Sequence, residues 1–305
     1  MILLTGANGF LGSNILRLLL EKNYATSITL RRTSELSRIS EHLNNPLLKT
    51  VLLEENNLQK FFDINKVTTI IHTATNYGRG KTPFQDVLQS NLTFPLELLE
   101  LAIQNGASLF VNTDSYFNKV KHSYFTLPAY SLSKRNFLDW LKYHSNKINI
   151  VNMQLEHLYG PYDSPSKFTE NLIQAVAVEM VETYALTPGA QVRDFVFVTD
   201  AANAYIKVLE NESRSPFGVK SYEVGTGHGT SIKEFAEKVK ELAHSKTDLE
   251  FGRIGRRPDE IELSKAANSD LLNLGWHPQV KVPDGISQII RISKATREES
   301  YGGQG

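Results

Sequence analysis

The sequence predicts an α/β protein with a parallel, doubly wound sheet and a smaller C-terminal α/β lobe. A glycine-spaced turn joins a short apolar strand to a helical pattern at the start of the chain. Strand-like runs then alternate with helical patterns, as a parallel sheet requires. The length of 305 residues exceeds the roughly 250–300 at which a single core stops growing. The later strand-like runs lie at 27–30, 51–53, 67–72, 109–112 and 148–154.

Composition excludes several classes of function. Lys plus Arg and Asp plus Glu both number 33, so no basic field exists to hold nucleic acid or an anionic membrane. There is no cysteine, which removes disulfides, thiolate metal sites and a cysteine nucleophile. No stretch approaches the ~20 apolar residues of a membrane span, and no charged leader precedes the first strand. We therefore expect a cytoplasmic protein with neither nucleic-acid nor membrane partners and no metal site.

The first turn predicts a dinucleotide site. Its glycines, Gly6, Gly9 and Gly12, stand between the apolar run 2–4 and the helical pattern after it. Such a turn brings backbone N–H groups and the positive end of a helix against a pyrophosphate. Its spacing is one residue wider than G-x-G-x-x-G, and the alternative is an ordinary βα loop. The predicted cofactor contacts are Gly6, Asn8, Gly9, Phe10, Leu11 and Gly12.

The second strand ends in Arg31 and Arg32, where a dinucleotide fold usually holds an acidic residue for the ribose 2′-hydroxyl. Two guanidiniums can bind a 2′-phosphate with charge-assisted hydrogen bonds, whereas an acid would repel it. The pair therefore favours NADPH (NADP⁺), with NAD possible as the cofactor. The alternative is a solvated surface pair.

Small residues follow the next strand, at the sheet edge where ligands collect. Thr73, Ala74 and Thr75 are small enough for a cofactor to lie against the backbone. Tyr77 and Arg79 come directly after them and could reach a substrate. An ordinary loop aromatic and a solvated arginine are the alternative for these two.

Three residues are candidates for catalysis. Thr113 lies at the end of the fifth strand, and Tyr130 and Lys134 lie four apart on one face of a following helix. An ammonium near a phenol favours the phenolate, which brings the phenol pKa toward a range useful for acid–base work. A threonine hydroxyl can hydrogen-bond the carbonyl that the phenol protonates. Together they would polarise a ketone for hydride attack, although Tyr-x-x-x-Lys also occurs by chance in helices.

These motifs resemble those of extended short-chain dehydrogenases/reductases, the nucleotide-sugar epimerase/dehydratase family. The likeness covers nearly all of the chain and implies a Rossmann-type fold. It assigns Asn91 to cofactor binding as the family's helix asparagine. Further matching segments are 158–161, 193–196, 225–227, 257–259 and 274–278.

The resemblance implies a nucleoside-diphosphate sugar as substrate. The planar guanidiniums of Arg193 and Arg257 are suited to bind its diphosphate. The alternative for each residue is a structural ion pair. We expect an NADP-binding domain over 1–161 with a returning segment at about 187–224. The substrate lobe is expected at 162–186 and 225–295, with a flexible tail at 296–305.

Two departures from the family pattern narrow the reaction. In 4,6-dehydratases the hydroxyl residue is followed by Asp and Glu, whereas here Thr113 is followed by Asp114 and Ser115. The paired acid and base needed for elimination is missing, so dehydration is not expected. Asp114 is interpreted as a sugar contact or a helix-start cap, or as a relic. His157 replaces the family's asparagine and either contacts the sugar or carries a proton, or is a hydrogen-bonded wall residue.

Within the family, segments 71–79, 111–114 and 155–161 are most similar to the CDP-abequose and CDP-paratose synthases. These are 4-keto reductases of CDP-3,6-dideoxyhexoses used in bacterial surface polysaccharide. The hypothesis is an NADPH-dependent reductase of a CDP- or dTDP-linked 4-keto-deoxyhexose. A 4-epimerase with tightly bound NAD and a non-catalytic NADPH sensor are the alternatives. By analogy, predicted helices at 83–105 and 130–144 pair two subunits in a homodimer.

Overall fold

The computed structural model describes residues 1–54, 57–119, 127–213 and 215–302. These residues form two units. The first contains Met1–Leu155, Ala202–Val224 and Ser269–Trp276. The second contains residues 156–201, 225–268 and 277–302.

Strands and helices alternate along the first half of the chain, as the sequence pattern predicts. The strands are β1 Ile2–Thr5, β2 Thr26–Leu30, β3 Leu48–Leu52, β4 Thr69–His72, β5 Leu109–Ser115, β6 Asn149–Leu155, β7 His157–Tyr159, β8 Thr183–Leu186, β9 Val192–Arg193, β10 Phe195–Phe197, β11 Gly218–Val224, β12 Thr230–Ser231 and β13 Asp248–Phe251. The helices are α1 Phe10–Glu21, α2 Asn57–Ile64, α3 Phe84–Leu88, α4 Phe94–Gln104, α5 Pro128–Tyr143, α6 Phe168–Ile173, α7 Val198–Glu212, α8 Ile232–Ala243, α9 Ser269–Asn273 and α10 Val282–Gly302.

A parallel sheet organises the first unit. In the described part of the chain it has seven strands in the order β11-β6-β5-β4-β1-β2-β3. Every residue of β1 and β2 is buried, which explains why β1 reads as a continuous apolar run. All strands point the same way, so their carboxyl ends meet at one edge. The predicted Rossmann-type α/β fold is confirmed.

The strand β5 is longer than its apolar core. Its last residues, from Thr113 to Ser115, pair with β6 and are buried. Polar pairing stabilises this end, because Asn112 Nδ2 donates to Asn152 Oδ1 at 2.7 Å. Thr113 therefore lies within a strand rather than in the loop after it.

The predicted helix at 83–105 consists of three consecutive segments. A π-helical turn, Gln89–Thr93, joins α3 to α4. Pro95 stands at the start of α4 and has no N–H to donate to the preceding turn. The wider winding before Pro95 accommodates that missing hydrogen bond, and it places Asn91 in a fully buried position.

The second unit contains three short strand pairs, β10 with β7, β12 with β9 and β13 with β8. Its core includes Tyr159, Phe195 and Phe235, and the last two rings stack with centroids 4.2 Å apart. The helix α8 begins with a capping box between Ser231 and Glu234, which satisfies two exposed N–H groups.

The helix α10 extends through Gly302, into the polar segment for which the sequence predicts a flexible tail. Its apolar side chains Ile286, Ile289 and Ile290 are buried in the core of the second unit. Farther along, Arg297 donates to the carbonyl of Val178, which holds a helical turn that the composition alone does not favour. Within the described ranges, no helix has both the length and the apolar character needed to cross a bilayer.

Candidate active site

The glycine turn at the end of β1 is shaped by close backbone approaches. Gly9 N donates to Gly6 O at 2.9 Å, and Gly6 has a φ of 72°. A Cβ on Gly6 would lie 2.6 Å from Ala74 N, and one on Gly12 would lie 2.0 Å from Gly6 O. No side chain fits at either position, so the turn requires glycine in both places.

The first turn of α1 suits an anion. Its N-cap, Gly9, offers no side-chain cap, and the first turn holds no acidic residue. The N–H groups at this helix start and the positive end of the helix dipole are therefore available to a pyrophosphate. Both the geometry and the sequence motif of this turn therefore fit a dinucleotide. Of the other predicted contacts, Asn8 donates to Glu35 O at 3.1 Å, while Phe10 and Leu11 begin α1.

The small residues after β4 pack against the glycine turn. Thr73 Oγ1 donates to Thr5 O at 2.7 Å, and Ala74 is the residue that a Cβ on Gly6 would strike. Larger side chains here would separate the two loops. Thr75 Oγ1 donates to Asn91 Oδ1 at 3.2 Å.

The two arginines after β2 differ in their contacts. The guanidinium of Arg32 donates through Nε to Glu54 Oε2 at 2.5 Å, and its backbone N donates to Glu54 Oε1 at 2.9 Å. These hydrogen bonds lower the pKa of Glu54. Arg31 is also exposed, and its backbone N donates to Ser34 Oγ at 2.9 Å. Between the two, only Arg32 has a carboxylate beside its guanidinium in the described ranges.

The predicted catalytic residues meet at the carboxyl end of β5. Lys134 Nζ donates to the backbone carbonyl of Thr113 at 2.8 Å, and its side chain is 2% exposed. Burial lowers the pKa of Lys134 to about 8. The Thr113 hydroxyl lies 2.8 Å from the hydroxyl of Tyr205, a residue of α7. The ammonium of Lys134 is thus held at the end of β5, next to Thr113.

Tyr130 is buried beside this pair, and burial raises its pKa well above 10. A hydrogen bond with Ser115 acts in the opposite direction on this pKa. The sequence predicts that Lys134 lowers the pKa of Tyr130, whereas in this structure burial raises it and Lys134 is not among the groups that shift it. The ammonium of Lys134 is itself desolvated and donates to a backbone carbonyl. The phenol therefore stays protonated at neutral pH in this structure.

Asn91 organises the loop after β4. Its Oδ1 accepts from Asn76 N at 2.8 Å, and its Nδ2 donates to Asn76 O at 2.8 Å and to Ser133 Oγ at 3.2 Å. The side chain is fully buried. The residue predicted to bind the cofactor thus joins a loop to α5, and its amide contacts protein groups.

Asp114 lies on the opposite side of β5 from Thr113. Its carboxylate accepts from Asn152 Nδ2 at 3.0 Å, from Asn118 Nδ2 at 2.7 Å and from Ser115 N at 2.8 Å. Burial raises its pKa despite these bonds. The N-cap of the turn that follows β5 is Ser115, whose Oγ accepts from Phe117 N at 3.4 Å, so the cap expected of Asp114 is supplied by its neighbour.

In the second unit, Arg193 is buried and bound to its own unit. Its Nη1 donates to the carbonyls of Val192 at 2.9 Å and Ile261 at 2.7 Å, and its Nη2 lies 3.5 Å from Glu260. These contacts match the structural ion pair that the sequence leaves open for this residue.

Two other predicted substrate residues of the second unit are more accessible. Arg257 is exposed, and no carboxylate within the described ranges forms an ion pair with its side chain. His157 is half-buried, and its ring packs edge-on against Phe195 at 5.2 Å. Its neighbour Glu156 accepts a hydrogen bond from Ser264 Oγ at 2.7 Å.

Among the residues around the predicted site of the first unit, sequence reasoning did not assign a role to Tyr205, Ser115 or Ser133. Tyr205 bonds to Thr113, Ser133 accepts from Asn91, and Ser115 lowers the pKa of Tyr130. Ser133 had a usable signal, because it stands inside the Tyr-x-x-x-Lys segment one residue before Lys134. Tyr205 had none, because 92 residues separate it from Thr113.

The chain is similar to known proteins over most of its length. A model of the NAD dependent epimerase/dehydratase family matches residues 2–225. CDP-abequose synthase of Salmonella typhimurium is 33% identical over 298 residues, which cover 95% of this chain and 97% of that protein. CDP-abequose synthase of Salmonella muenchen is 31% identical over 303 residues, covering 96% and 98%.

Solved structures share the fold. A UDP-glucuronic acid 4-epimerase from Bacillus cereus, in complex with UDP-glucuronic acid and NAD, superposes with a TM-score of 0.82 at 22% identity. The match covers 97% of this chain and 99% of that one. A UDP-glucose 4-epimerase of Thermus thermophilus in complex with NAD gives a TM-score of 0.76, also at 22% identity.

Proposed function

Because the chain belongs to the NAD dependent epimerase/dehydratase family, we propose that it reduces the 4-keto group of a nucleotide-linked deoxyhexose with NADPH. The observation that carries the proposal is the buried cluster of Tyr130, Lys134 and Thr113 at the carboxyl end of β5. The relatives named CDP-abequose synthase, at 31–33% identity over nearly the whole chain, support a CDP-linked 3,6-dideoxyhexose as the first substrate to test, with dTDP as the second nucleotide.

The proposed reaction assigns a task to each residue of the cluster. NADPH, when bound, supplies the hydride that forms the new C–H bond at C4 of the sugar. Tyr130 gives its proton to the carbonyl oxygen, which becomes the hydroxyl, and solvent returns a proton to the phenol. Thr113 hydrogen-bonds the same oxygen, and Lys134 holds the ribose of the cofactor. Because burial raises its pKa, the phenol is protonated at neutral pH, which is the form that a proton donor must have.

The residues after Thr113 support reduction rather than dehydration. Asp114 is bound to three donors of its own unit, and Ser115 supplies a hydroxyl where an eliminating enzyme needs a carboxylate. A hydroxyl beside Tyr130 cannot act as the second acid–base group at neutral pH. The residues after Thr113 therefore supply no second carboxylate for elimination, and a ketone reduction does not need one.

The cofactor preference rests on the exposed guanidiniums of Arg31 and Arg32. They lie after β2, at the position where the ribose of a dinucleotide is recognised in this fold. A 2′-phosphate there would gain charge-assisted hydrogen bonds. We propose NADPH as the working cofactor, with NAD as the second to test.

The diphosphate of the sugar nucleotide is assigned to Arg257, which is exposed in the second unit. A role in bacterial surface polysaccharide synthesis and a cytoplasmic location are part of the same proposal. So is a homodimer: α3 and α5 expose Phe84, Leu88, Leu132 and Trp140, apolar surface that a second copy would cover. Light scattering of the purified protein measures its mass directly.

The deciding experiment incubates the protein with NADPH and a CDP-linked 4-keto-3,6-dideoxyhexose, with the dTDP-linked sugar in parallel. We expect NADPH absorbance to fall as a 4-hydroxy sugar accumulates, identified by NMR. Tyr130→Phe should slow the reaction by roughly a hundredfold or more and leave NADPH affinity close to that of the wild type. Full activity in this variant would rule out the assignment.

The same experiment tests the alternative function. A 4-epimerase would carry stoichiometric NAD through purification and interconvert 4-epimers without net consumption of NADPH. That outcome would replace the reductase with the epimerase and keep the catalytic cluster.

A further inference from the structure

The ring of Tyr130 is enclosed by two aromatic side chains. The ring of Tyr77 stacks on it, with centroids 5.0 Å apart and planes 25° apart. The ring of Phe117 meets it edge-on at 6.1 Å and 86°. A phenol held between a stacked ring and an edge-on ring has little freedom to tilt.

The loop that carries Tyr77 is held in place at the residues before and after it. The amide of Asn91 binds both the N–H and the carbonyl of Asn76. Gly78 N donates to Asn76 Oδ1 at 2.9 Å, and Gly78 has a φ of 64°. A Cβ on Gly78 would lie 2.9 Å from a methyl group of Val87. The position of Tyr77 is thus set by the backbone and by α3.

Arg79 adds a cation to this arrangement. Its Cζ lies 5.3 Å from the centroid of Tyr77, within the range of a cation–π contact. The Arg79 carbonyl accepts from Thr82 Oγ1 at 2.8 Å, so the backbone at this point is held as well. The guanidinium covers part of a ring that is still 36% exposed.

We propose that Tyr77, backed by Arg79, is a positioning residue for Tyr130: its ring fixes the orientation of the phenol and excludes water from one of its faces. This rests on the proposed role of Tyr130 as proton donor. It differs from the expectation that Tyr77 and Arg79 contact the substrate directly, because the contacts of Tyr77 are with the catalytic ring itself.

The electrostatic surroundings of Tyr130 agree with this role. Burial is the main cause of its raised pKa, followed by Tyr77, and Asp114 and Tyr116 raise it further. The hydrogen bond with Ser115 lowers it. Removing the Tyr77 ring admits water and removes a neighbouring phenol, so both changes bring the pKa of Tyr130 back toward its ordinary value.

The test compares Tyr77→Leu with Tyr77→Phe, which keeps the ring. Tyrosine labelled with ¹³C at Cζ reports the titration of each phenol, and Tyr130→Phe identifies the signal of Tyr130. We expect Tyr77→Leu to lower the pKa of Tyr130 and to reduce kcat about tenfold, with KM for the sugar nucleotide within twofold. Tyr77→Phe should keep kcat within about twofold of the wild type.

Two further variants complete the series. Tyr24→Leu, a half-buried tyrosine of the same unit, is the matched control and should change neither quantity. Arg79→Gln should give a smaller loss of kcat than Tyr77→Leu, because the ring remains. If Tyr77→Leu leaves the titration of Tyr130 unchanged, or raises KM at constant kcat, the proposal is wrong and Tyr77 contacts the substrate instead.

The titration separates this proposal from the proposed function. It is measured on the protein without substrate, so it reports the contact between Tyr77 and Tyr130 whatever reaction the enzyme performs. Loss of activity only in Tyr130→Phe, with an unchanged titration in Tyr77→Leu, would keep the function and overturn the positioning role. A shifted titration in Tyr77→Leu together with full activity in Tyr130→Phe would do the reverse.

Discussion

In the first unit two of the residues predicted for catalysis, Lys134 and Thr113, contact each other, whereas in the second unit two of those predicted near the substrate contact the backbone or core of their own unit. Lys134 binds the carbonyl of Thr113, and Tyr77 stacks on Tyr130. Arg193 instead binds the carbonyls of Val192 and Ile261. Folding of the first unit thus brings residues predicted for the site into contact with one another.

The buried charges of the two units, Lys134 and Arg193, differ in the groups that surround them. In the first unit, burial of Lys134 lowers its pKa to about 8, a cost for folding that a catalytic role would justify. In the second unit, the buried guanidinium of Arg193 satisfies carbonyl groups and so stabilises a loop. Arg257 and Arg31 are exposed instead.

The largest effect is expected for Lys134→Met. Removal of the ammonium should reduce kcat by roughly a hundredfold or more and raise KM for NADPH, measured from initial rates. The matched control is Lys142→Met, an exposed lysine of the same helix. Wild-type activity in Lys134→Met would show that the buried charge of the first unit is structural, as in the second.

The stability of the same variant tests the pKa of Lys134. Since the folded state holds this proton less tightly than the unfolded state, wild-type stability should increase as pH rises from about 8 toward the unfolded value near 10.4. The free energy of unfolding of Lys134→Met, relative to wild type, should therefore fall over that interval. Denaturant unfolding at pH 7, 8, 9 and 10 measures it, and a constant difference would contradict the shifted pKa.

An intermediate effect is expected when Arg193 and Arg257 of the second unit are each exchanged for glutamine. Arg193→Gln should lower the free energy of unfolding by about 1.5–3 kcal/mol, because charged hydrogen bonds to two carbonyls are lost. Arg257→Gln should leave stability within about 0.5 kcal/mol and raise KM for the sugar nucleotide roughly tenfold. The opposite pattern would reverse the roles of the two residues.

The smallest effect is expected for the two arginines after β2, and its size should differ between them. Arg31→Ala should raise KM for NADPH about tenfold and hardly change KM for NADH, because only NADPH has the 2′-phosphate. Arg32→Ala should have a weaker effect, since Glu54 already holds its guanidinium. Equal losses in initial-rate measurements would show that Arg32 leaves Glu54 to bind the phosphate.

The sequence predicts the parts of this molecule that depend on residues close together in the chain. The glycine turn is one strand, one turn and one helix, and its backbone contacts follow from three glycines. Tyr130 and Lys134 are four residues apart on α5, so helix geometry alone brings them to one face. The parallel sheet follows from the alternation of buried strands and helices.

Contacts between distant segments had no such signal. The stack of Tyr77 on Tyr130 and the bond of Thr113 to Tyr205 depend on how loops and helices pack. The same holds for Arg32 and Glu54, which are 22 residues apart. The raised pKa of Tyr130 also depends on packing, because desolvation is a property of the folded site and not of a motif.

The π-helical turn at Gln89–Thr93 makes the length of this region as important as its residues. Successive residues of an α-helix are rotated by about 100°, so deletion of one residue before Pro95 would restore regular winding and turn Asn91 away from Asn76. The loop bearing Tyr77 would then lose its support although every side chain named in the site was still present. Insertions and deletions between 84 and 95 should therefore be far less tolerated than substitutions on the exposed side of the same helix.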